Sequence, residues 1–525
     1  MIIRRATITL LTILTSLYQV QGQLVVEQVK EINPTGDATP KGIIATNTQL
    51  FFAAKDGSNG VELWKSDGTE NNTEMLIDIN PAGPSYPHDM LSHNGNVYFS
   101  ADDGSNGQEL WISDGTSSGT QMVQDINSGG GSLPEFFTKY DSKVYFQASD
   151  GTNGSELWVS DGTTSGTSMI KDINPSGDAE PEHFTAYNGK LYFFADDGAN
   201  GNELWVTDGT TAGTQLVKDI DPSGSNYPFD LIVFNNKLLF DAQDGSGNYN
   251  LWESDGTTSG TQVVKNISAN LRQSCEYNGS LYFYGYGANG GIELWRTDGT
   301  GAGTLMLADI NPTGNSRPLA FNVYQNKLYF QADDGTNGKE LWVTDGTTNG
   351  TQLFADINSG GDSSPENLTV FNNKLFFIAN EGTNGRELWF TDGTTAGTQT
   401  IQPAISPNSA PLDGVDKLTV FNGGLYFKAN FNSNGEELWK VKEESSTSIA
   451  ENNKLKIKLF PNPADNYIQI KLDRAYNLKV INVVGKELMH LDAVKNEQVD
   501  ISSLEPGIYT IASEDQEISA RFIKR

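Results

Sequence analysis

Cysteine is almost absent from this chain of 525 residues, which contains one, Cys275. A single cysteine excludes an intramolecular disulfide, so packing has to supply the stability. Histidine is also scarce, and no pair among His88, His93, His183 and His490 has metal-ligand spacing. Basic residues are outnumbered, with 35 Lys and Arg against 66 Asp and Glu, which gives a net charge of −31. This charge repels nucleic acid and anionic membrane surfaces.

Long hydrophobic runs are missing beyond the first residues. The run from Ala6 to Leu17 follows Arg4 and Arg5 and precedes small residues near Gly22. This pattern predicts a secretory signal peptide over residues 1–22, cleaved before Gln23. The run is too short to span a membrane comfortably, so we expect an exported protein with no transmembrane segment.

Tryptophan occurs at a regular interval. Most of the nine tryptophans are 47 residues apart, with one interval of 43 and one of 50. They are Trp64, Trp111, Trp158, Trp205, Trp252, Trp295, Trp342, Trp389 and Trp439. Each lies in a variant of Glu-Leu-Trp-x-x-Asp-Gly-Thr, so the chain is a repeat array. Its sequence resembles the ELWxxDGT repeat family over roughly residues 25–442. We interpret each tryptophan as a packing residue between repeats.

One repeat, residues 352–391, contains four short strand-like runs separated by Gly- and Asn-rich turns. Four strands in 40–50 residues is the size of a propeller blade. Several runs are apolar on both faces, which suits blades packed between neighbours. The sequence therefore predicts an all-β fold, a large propeller of about nine four-stranded blades over residues 23–442.

The two ends of the array predict how it closes. Residues 24–32 match the outermost strand of later repeats but arrive before any repeat, and Glu437–Val441 has no strand after it. Pairing the first strand with the last blade would remove both exposed sheet edges. A ring closed in this way is our prediction, and an open solenoid is the alternative. We expect a monomer.

Two acidic loop types are expected on one face of the propeller: Asp-Ile-Asn-Pro-x-Gly, such as Asp172–Gly177, and Asp-Asp-Gly-x-x-Gly, such as Asp102–Gly107. Loops of the second type supply the oxygen ligands that calcium prefers. Asp-Gly turns are also common hairpin closers. Calcium binding and simple turn chemistry both remain open, and no other cofactor is indicated.

The candidate binding residues follow the proline that opens the innermost strand of each blade. They are polar and differ from copy to copy: His88, Asp89, Glu135, Glu182, His183, Asp230 and Glu366. In a ring they would encircle the mouth of the central channel. No catalytic residues are indicated.

One short repeat departs from the others. Aligning Tyr277 with Tyr187 places Arg272 where Glu182 stands, and Tyr284 and Tyr286 replace an acidic hairpin. The preceding repeat has Asn250 in place of the usual Glu. These departures indicate either drift or an asymmetric site, in which tyrosine rings stack on sugars and Arg272 holds an acidic group.

Residues 443–453 are polar and predict a linker to a second domain, 454–525. That domain has no Trp, and its alternating pattern predicts a small β-sandwich. Its opening Pro461, Asn462 and Pro463 form the first of its distinctive motifs. A second motif contains Asp500, Leu504, Gly507 and Tyr509.

With its basic Phe-Ile-Lys end, this segment resembles the C-terminal sorting domain of the type IX secretion system. The resemblance implies the type IX machinery as partner and a protein released from, or attached to, the surface of a Gram-negative bacterium.

The repeated acidic groups favour a binding or adhesion scaffold for an extracellular glycan or surface protein. An enzyme needs acid, base or nucleophile groups placed asymmetrically. A secreted polysaccharide-active enzyme with its site at the channel mouth is the alternative.

Overall fold

A computed structural model describes residues 23–222, 224, 227–287, 291–401, 412, 414–432, 435–443, 458–460, 464–482, 486–513 and 519–525. The expected signal peptide (1–22) and all of the expected linker except Glu443 lie outside the described residues. Residues 24–443 form one compact unit. The part of this unit that the structure describes contains nine four-stranded antiparallel sheets, which are the blades of a propeller.

The two inner strand positions of each blade follow the predicted hairpin. The innermost strands are β2 (Lys41–Ala45), β6 (His88–His93), β10 (Glu135–Tyr140), β14 (Glu182–Tyr187), β18 (Phe229–Phe234), β22 (Ser268–Tyr277), β26 (Leu319–Tyr324), β30 (Glu366–Phe371) and β34 (Thr419–Phe421). The second strands are β3 (Leu50–Lys55), β7 (Asn96–Asp102), β11 (Lys143–Ser149), β15 (Lys190–Asp196), β19 (Lys237–Gln243), β23 (Ser280–Tyr286), β27 (Lys327–Asp333), β31 (Lys374–Asn380) and β35 (Gly424–Ala429). The second strands are buried on both faces, as expected for sheets that lie between neighbours.

The two outer positions carry the repeat signature. The third strands are β4 (Val61–Ser66), β8 (Gln108–Ser113), β12 (Ser155–Ser160), β16 (Asn202–Thr207), β20 (Tyr249–Ser254), β24 (Ile292–Thr297), β28 (Lys339–Thr344), β32 (Arg386–Thr391) and β36 (Glu437–Glu443). The outermost strands are β1 (Leu24–Lys30), β5 (Glu74–Ile77), β9 (Gln121–Gln124), β13 (Ser168–Lys171), β17 (Gln215–Lys218), β21 (Gln262–Lys265), β25 (Leu305–Ala308), β29 (Gln352–Ala355) and β33 (Gln399–Thr400). A short 3-10 helix, Thr164–Gly166, precedes β13.

The nine tryptophans pack between blades. Trp158, for example, shares a core with Tyr98 and Leu110 of the preceding blade. Trp64, in the first blade, packs with Tyr426 of the ninth. The tryptophans therefore join each blade to the one before it.

The predicted ring closure is confirmed. Strand β1 pairs antiparallel with β36, with Val26 opposite Val441, and it forms the outer strand of the ninth blade. Val26 and Val29 are 6% and 4% exposed. The innermost strands β2 and β34 also contact each other. The first and last blades are thus joined at both their inner and outer strands, and the solenoid alternative is wrong.

The C-terminal unit is a small β fold, as predicted, but its strands share one curled sheet. These strands are β37 (Lys458–Phe460), β38 (Tyr467–Asn482), β39 (Glu487–Asp500), β40 (Gly507–Ser513) and β41 (Ser519–Lys524). The order is β37-β38-β40-β41, and β39 pairs with β38. The long β38 changes register between Lys471 and Tyr476. Residues on both sides of this irregularity, Ile470 and Val480, share one core, so a single sheet encloses it.

Deleting residues 23–32 should open the ring. The two buried valines alone contribute about 3–6 kcal/mol, and their loss would expose an apolar edge. We expect a lower melting temperature in calorimetry and oligomers in gel filtration. A Gln23→Ser control, at an exposed position that precedes the strand, should behave like the wild type. An unchanged melting temperature with monomeric elution of the deletion would contradict the closure.

Candidate functional site

The Glu of the repeat signature holds the loop that leads to the next blade. Glu109 is fully buried. Its Oε2 accepts a hydrogen bond from Ile126 N at 3.0 Å, and its Oε1 accepts one from Ser132 N at 3.0 Å. The Ser132 hydroxyl donates a third to Oε2 at 2.6 Å. Equivalent contacts with a serine are made by Glu62, Glu293 and Glu340. This Glu is therefore a structural residue.

Burial shifts the ionisation of these glutamates. Removal from water raises the pKa of Glu156 and of Glu437 to about 7 and that of Glu203 to about 8. Their backbone donors act in the opposite sense, so burial outweighs the hydrogen bonds.

The Asp-Gly-Thr turn is also used structurally. Asp161 Oδ1 accepts hydrogen bonds from the backbone N and the hydroxyl of Thr163, at 2.9 and 2.7 Å. The hydroxyl of Thr164 donates to Val123 O of the preceding blade at 2.7 Å. Gly162 has φ +89°, and a Cβ there would lie 2.7 Å from the hydroxyl of Tyr98. The motif thus stabilises its own turn and donates a hydrogen bond to the neighbouring blade.

The acidic loops considered as candidate calcium ligands form hydrogen bonds with their own backbone. Asp103 Oδ1 accepts hydrogen bonds from Ser105 N and Asn106 N, at 2.9 and 2.8 Å. Its Oδ2 accepts from the Asn106 side chain at 2.7 Å. Asp56, Asp150, Asp197 and Asp334 make the same contacts. No group of three or more His, Cys, Asp or Glu that could hold a metal ion occurs among the described residues. The geometry favours turn chemistry for these carboxylates.

A four-residue stretch at the start of the innermost strand varies between copies, and we call it the mouth segment. The second residue of each segment is proline, and the last two residues begin the innermost strand. The segments are 39–42 (Thr-Pro-Lys-Gly), 86–89 (Tyr-Pro-His-Asp), 133–136 (Leu-Pro-Glu-Phe), 180–183 (Glu-Pro-Glu-His), 227–230 (Tyr-Pro-Phe-Asp), 317–320 (Arg-Pro-Leu-Ala) and 364–367 (Ser-Pro-Glu-Asn). They lie at the same end of the blades as the acidic loops, because successive antiparallel strands alternate in direction.

Every mouth segment has the same unusual backbone. Its first residue has φ between +42° and +51° and its fourth between +50° and +60°, although most of these residues are not glycine. The proline between them is buried. The innermost strand also changes register at this point, as between Glu182 and Thr185. One fixed backbone therefore carries different side chains in different blades.

The structure places the predicted residues in these segments with differing exposure. Asp89 is exposed, whereas His88, Glu135, Glu182 and His183 are half-buried. Glu366 is half-buried and forms an ion pair with Arg386.

Asp230 is 7% exposed, and its Oδ2 accepts a hydrogen bond from Leu271 N of the next blade at 3.1 Å. Its side chain therefore joins two blades.

The predicted alignment of Arg272 with Glu182 is wrong. In the sixth blade Asn270 pairs with Tyr284, as Glu182 pairs with Phe194. Four residues then separate Asn270 from the next paired residue, Cys275, where the regular blades have two. Arg272 is exposed in this longer bulge. Counting back from Tyr277 could not reveal the two additional residues.

The tyrosines of the sixth blade also differ from expectation. Tyr284 and Tyr286 belong to strand β23 rather than to the hairpin loop after it. Tyr284 is half-buried, and burial raises its pKa, whereas Tyr286 is 57% exposed.

The junction between the fifth and sixth blades lacks the usual connection. Two residues, 266–267, join β21 to β22, whereas ten, 219–228, join β17 to β18. A Glu at position 250 would find none of the loop donors that Glu109 has. Asn250 instead donates to Asn248 O and Asp244 Oδ2, at 2.9 and 3.0 Å. The unusual Asn250 thus follows from the short connection.

A buried carboxyl lies at the same junction. Asp241 is 4% exposed, and its Oδ2 accepts a hydrogen bond from the Ser268 hydroxyl of the sixth blade at 3.0 Å. Burial, together with the charge of Asp230, raises the pKa of Asp241 to about 8. Because no donor reaches its other oxygen, Oδ1, the buried carboxylate form is poorly stabilised, which agrees with the raised pKa.

In the C-terminal unit, Asp500 Oδ1 accepts a hydrogen bond from Ser502 N at 2.8 Å. The hydroxyl of Tyr509 donates to Glu505 O at 2.7 Å, and its ring stacks on Phe522. Leu504 is buried, and Gly507 begins β40. Pro461, Asn462 and Pro463 lie outside the described residues.

A family model described as "Secretion system C-terminal sorting domain" matches residues 458–525. The C-terminal unit is therefore a type IX sorting domain, and it directs the protein to secretion with release or surface attachment. No curated protein matches the chain. No helix among the described residues is long and apolar enough to cross a membrane.

Several solved structures are distantly similar. A puromycin hydrolase has a TM-score of 0.37 and 12% identity, over 65% of this chain and 58% of that chain. A prolyl endopeptidase has 0.38 and 10%, over 92% and 55%. Oligopeptidase B from Leishmania major has 0.33 and 9%, over 82% and 53%. This chain spans less than two thirds of the length of each of these three proteins.

The buried carboxyls predict a stability that falls as pH rises. Their pKa values are raised on folding, so their stabilising contribution is complete below the unfolded values near 4 and is lost as pH passes through about 7 to 8. We expect the melting temperature at constant ionic strength to be lower at pH 8.5 than at pH 5.5.

Asp241→Asn provides the matched variant. It removes one of these groups, so it should raise the melting temperature at pH 8.5 relative to the wild type and change it little at pH 5.5. A wild-type melting temperature that rises with pH would contradict the assignment.

Proposed function

We propose that this protein is an exported binding scaffold whose ligand contacts the mouth segments. The observation that supports this is the division of the repeat into two parts. The Glu, Trp and Asp-Gly-Thr residues are used in holding blades together, whereas the mouth segments differ from blade to blade on a constant backbone. A repeated frame with one variable surface is typical of repeat proteins that bind other molecules.

The chemistry of the described residues favours a scaffold over an enzyme. A general acid or base has to reach the substrate. Glu203 and Asp241, whose pKa values burial raises to about 8, are 0% and 4% exposed. Both are hydrogen-bonded within or between blades. These carboxyls are therefore not placed to act on a bound polymer.

The proposed route has two steps. Residues 1–22 direct the chain out of the cytoplasm and are removed before Gln23, and the sorting domain then engages the type IX machinery. The mature propeller acts as a monomer at the outer surface or in the medium. Its ligand is an extracellular glycan or a surface protein.

A chain truncated after Asn453 should fold but stay in the periplasm, because it lacks the sorting domain. Fractionation followed by immunoblotting measures this, with the full chain as control. Recovery of the truncated chain from the medium or the cell surface would contradict the proposed route.

The binding face is tested by replacing mouth segment 227–230 with Thr-Pro-Lys-Asp, which keeps the bond from Leu271 N to Asp230, together with segments 86–89, 133–136 and 180–183 with Thr-Pro-Lys-Gly. That sequence already occupies 39–42, so the replaced segments should keep their backbone. We expect at least tenfold weaker binding on an array of glycans and surface proteins, probed with and without calcium.

Ser118→Ala, in an exposed turn next to Asp114–Thr116 at the opposite end of the blades, is the matched control and should leave binding unchanged. Equal binding by the chain with the replaced mouth segments and by the wild type would place the ligand elsewhere.

A further inference from the structure

Exposed aromatic side chains are confined to one part of the propeller. The aromatic residues with large exposed side chains in its described part are Tyr86, Phe136, Tyr227, Phe229 and Tyr286. The first four belong to mouth segments, and Tyr286 ends β23 at the same end of its blade. Their exposed fractions range from 43% to 57%. Neither blade packing nor turn chemistry explains rings at these positions.

An aromatic ring is exposed where the connection between the fifth and sixth blades is short. Phe229 pairs with Asp241, on the side of the fifth blade that carries the bond to Ser268 of the sixth. The rings of Phe229 and Tyr249 lie 6.3 Å apart with 30° between their planes. Phe229 is nevertheless 43% exposed. A flat aromatic surface is thus open at this junction.

Polar groups accompany these rings on the sixth blade. Arg272 and Gln273 are exposed in the longer bulge of β22. Gln273 Oε1 accepts a weak hydrogen bond from Ala320 N at 3.3 Å, which leaves its amide N–H groups available to a ligand. Apolar ring faces beside such donors suit a molecule with flat C–H surfaces and many hydroxyl groups.

Charge and exposure narrow the class of ligand. A net charge of −31, most of it on the propeller, repels anionic polymers. Half-exposed rings contact a ligand on one face, so the ligand lies along a surface rather than inside an enclosed pocket. Resting on the proposed function, we propose that an uncharged polysaccharide chain binds across the fifth and sixth blades and stacks on Phe229 and Tyr286.

The test uses the full chain carrying Phe229→Ser or Tyr286→Ser. Native electrophoresis through gels containing laminarin, galactomannan, xylan or pullulan measures affinity from retardation. We expect at least one of these polysaccharides to retard the wild type and each Ser variant to bind about threefold to tenfold more weakly. Gels containing alginate or polygalacturonate should cause no retardation.

Two controls come from the same blades. Val263 and Leu305 are 39% and 36% exposed and lie on the outermost strands β21 and β25, so Val263→Ser and Leu305→Ser should bind like the wild type. All four substitutions are at exposed sites, and an unchanged melting temperature verifies folding. Wild-type affinity in both ring variants would overturn the inference, as would equal retardation by the anionic polymers.

The two experiments distinguish an incorrect polysaccharide ligand from an incorrect binding scaffold. One outcome is that none of the uncharged polysaccharides retards the wild type, while the mouth-segment replacement still abolishes binding to a surface protein on the array. That outcome would support the binding scaffold and reject an uncharged polysaccharide as its ligand. If the ring variants bind normally and the mouth-segment replacement loses polysaccharide binding, the ligand contacts other residues of the replaced segments instead.

Discussion

The propeller depends on a buried glutamate that accepts hydrogen bonds from the loop ahead of it. Glu62 bonds to Ile79 N and to the backbone and hydroxyl of Ser85, and the next residue, Tyr86, begins a mouth segment. The same bonds therefore fix where the next blade starts and where its variable residues stand. Water cannot compete for a carboxylate this buried, so the loop position is well defined, although the burial raises the pKa of the glutamate.

This arrangement separates stability from recognition. The glutamate, the tryptophan and the Asp-Gly-Thr turn make contacts within a blade or with its neighbour, and they recur because most junctions are held by them. The mouth segment contributes a buried proline and two residues with positive φ, but its other side chains are free to differ. Except at Asp230, which bonds to Leu271 N of the next blade, substitution there should change the surface without changing the junction. Each of the seven blades with a described mouth segment can therefore carry a different surface on the same frame.

Repetition explains how much of this fold the sequence predicts. Strand positions, blade number and closure by β1 all follow from comparing copies, and the structure confirms them. The bonds of Glu109 were not predicted, because its partners lie 17 and 23 residues further along the chain and only a recurrent serine marks one of them. The place of Arg272 was wrong, because alignment by a shared Tyr-Asn-Gly turn assumes equal strand lengths. Tyr284 was expected on the surface, and no pattern of residues distinguishes it from the more exposed Tyr286.

The junction of the fifth and sixth blades shows which departures from the repeat need a ligand to explain them. The short connection removes the loop donors, and Asn250 avoids a buried carboxylate without partners, so these two changes accompany each other for structural reasons. The bonds from Leu271 N to Asp230 and from Ser268 to Asp241 then hold the junction in place of the hydrogen bonds that the repeat glutamate accepts elsewhere. None of these contacts requires an exposed ring at position 229 or 286, where a polar side chain would avoid exposing apolar surface to water. Structural coupling therefore accounts for the altered core of the junction but leaves its aromatic surface unexplained.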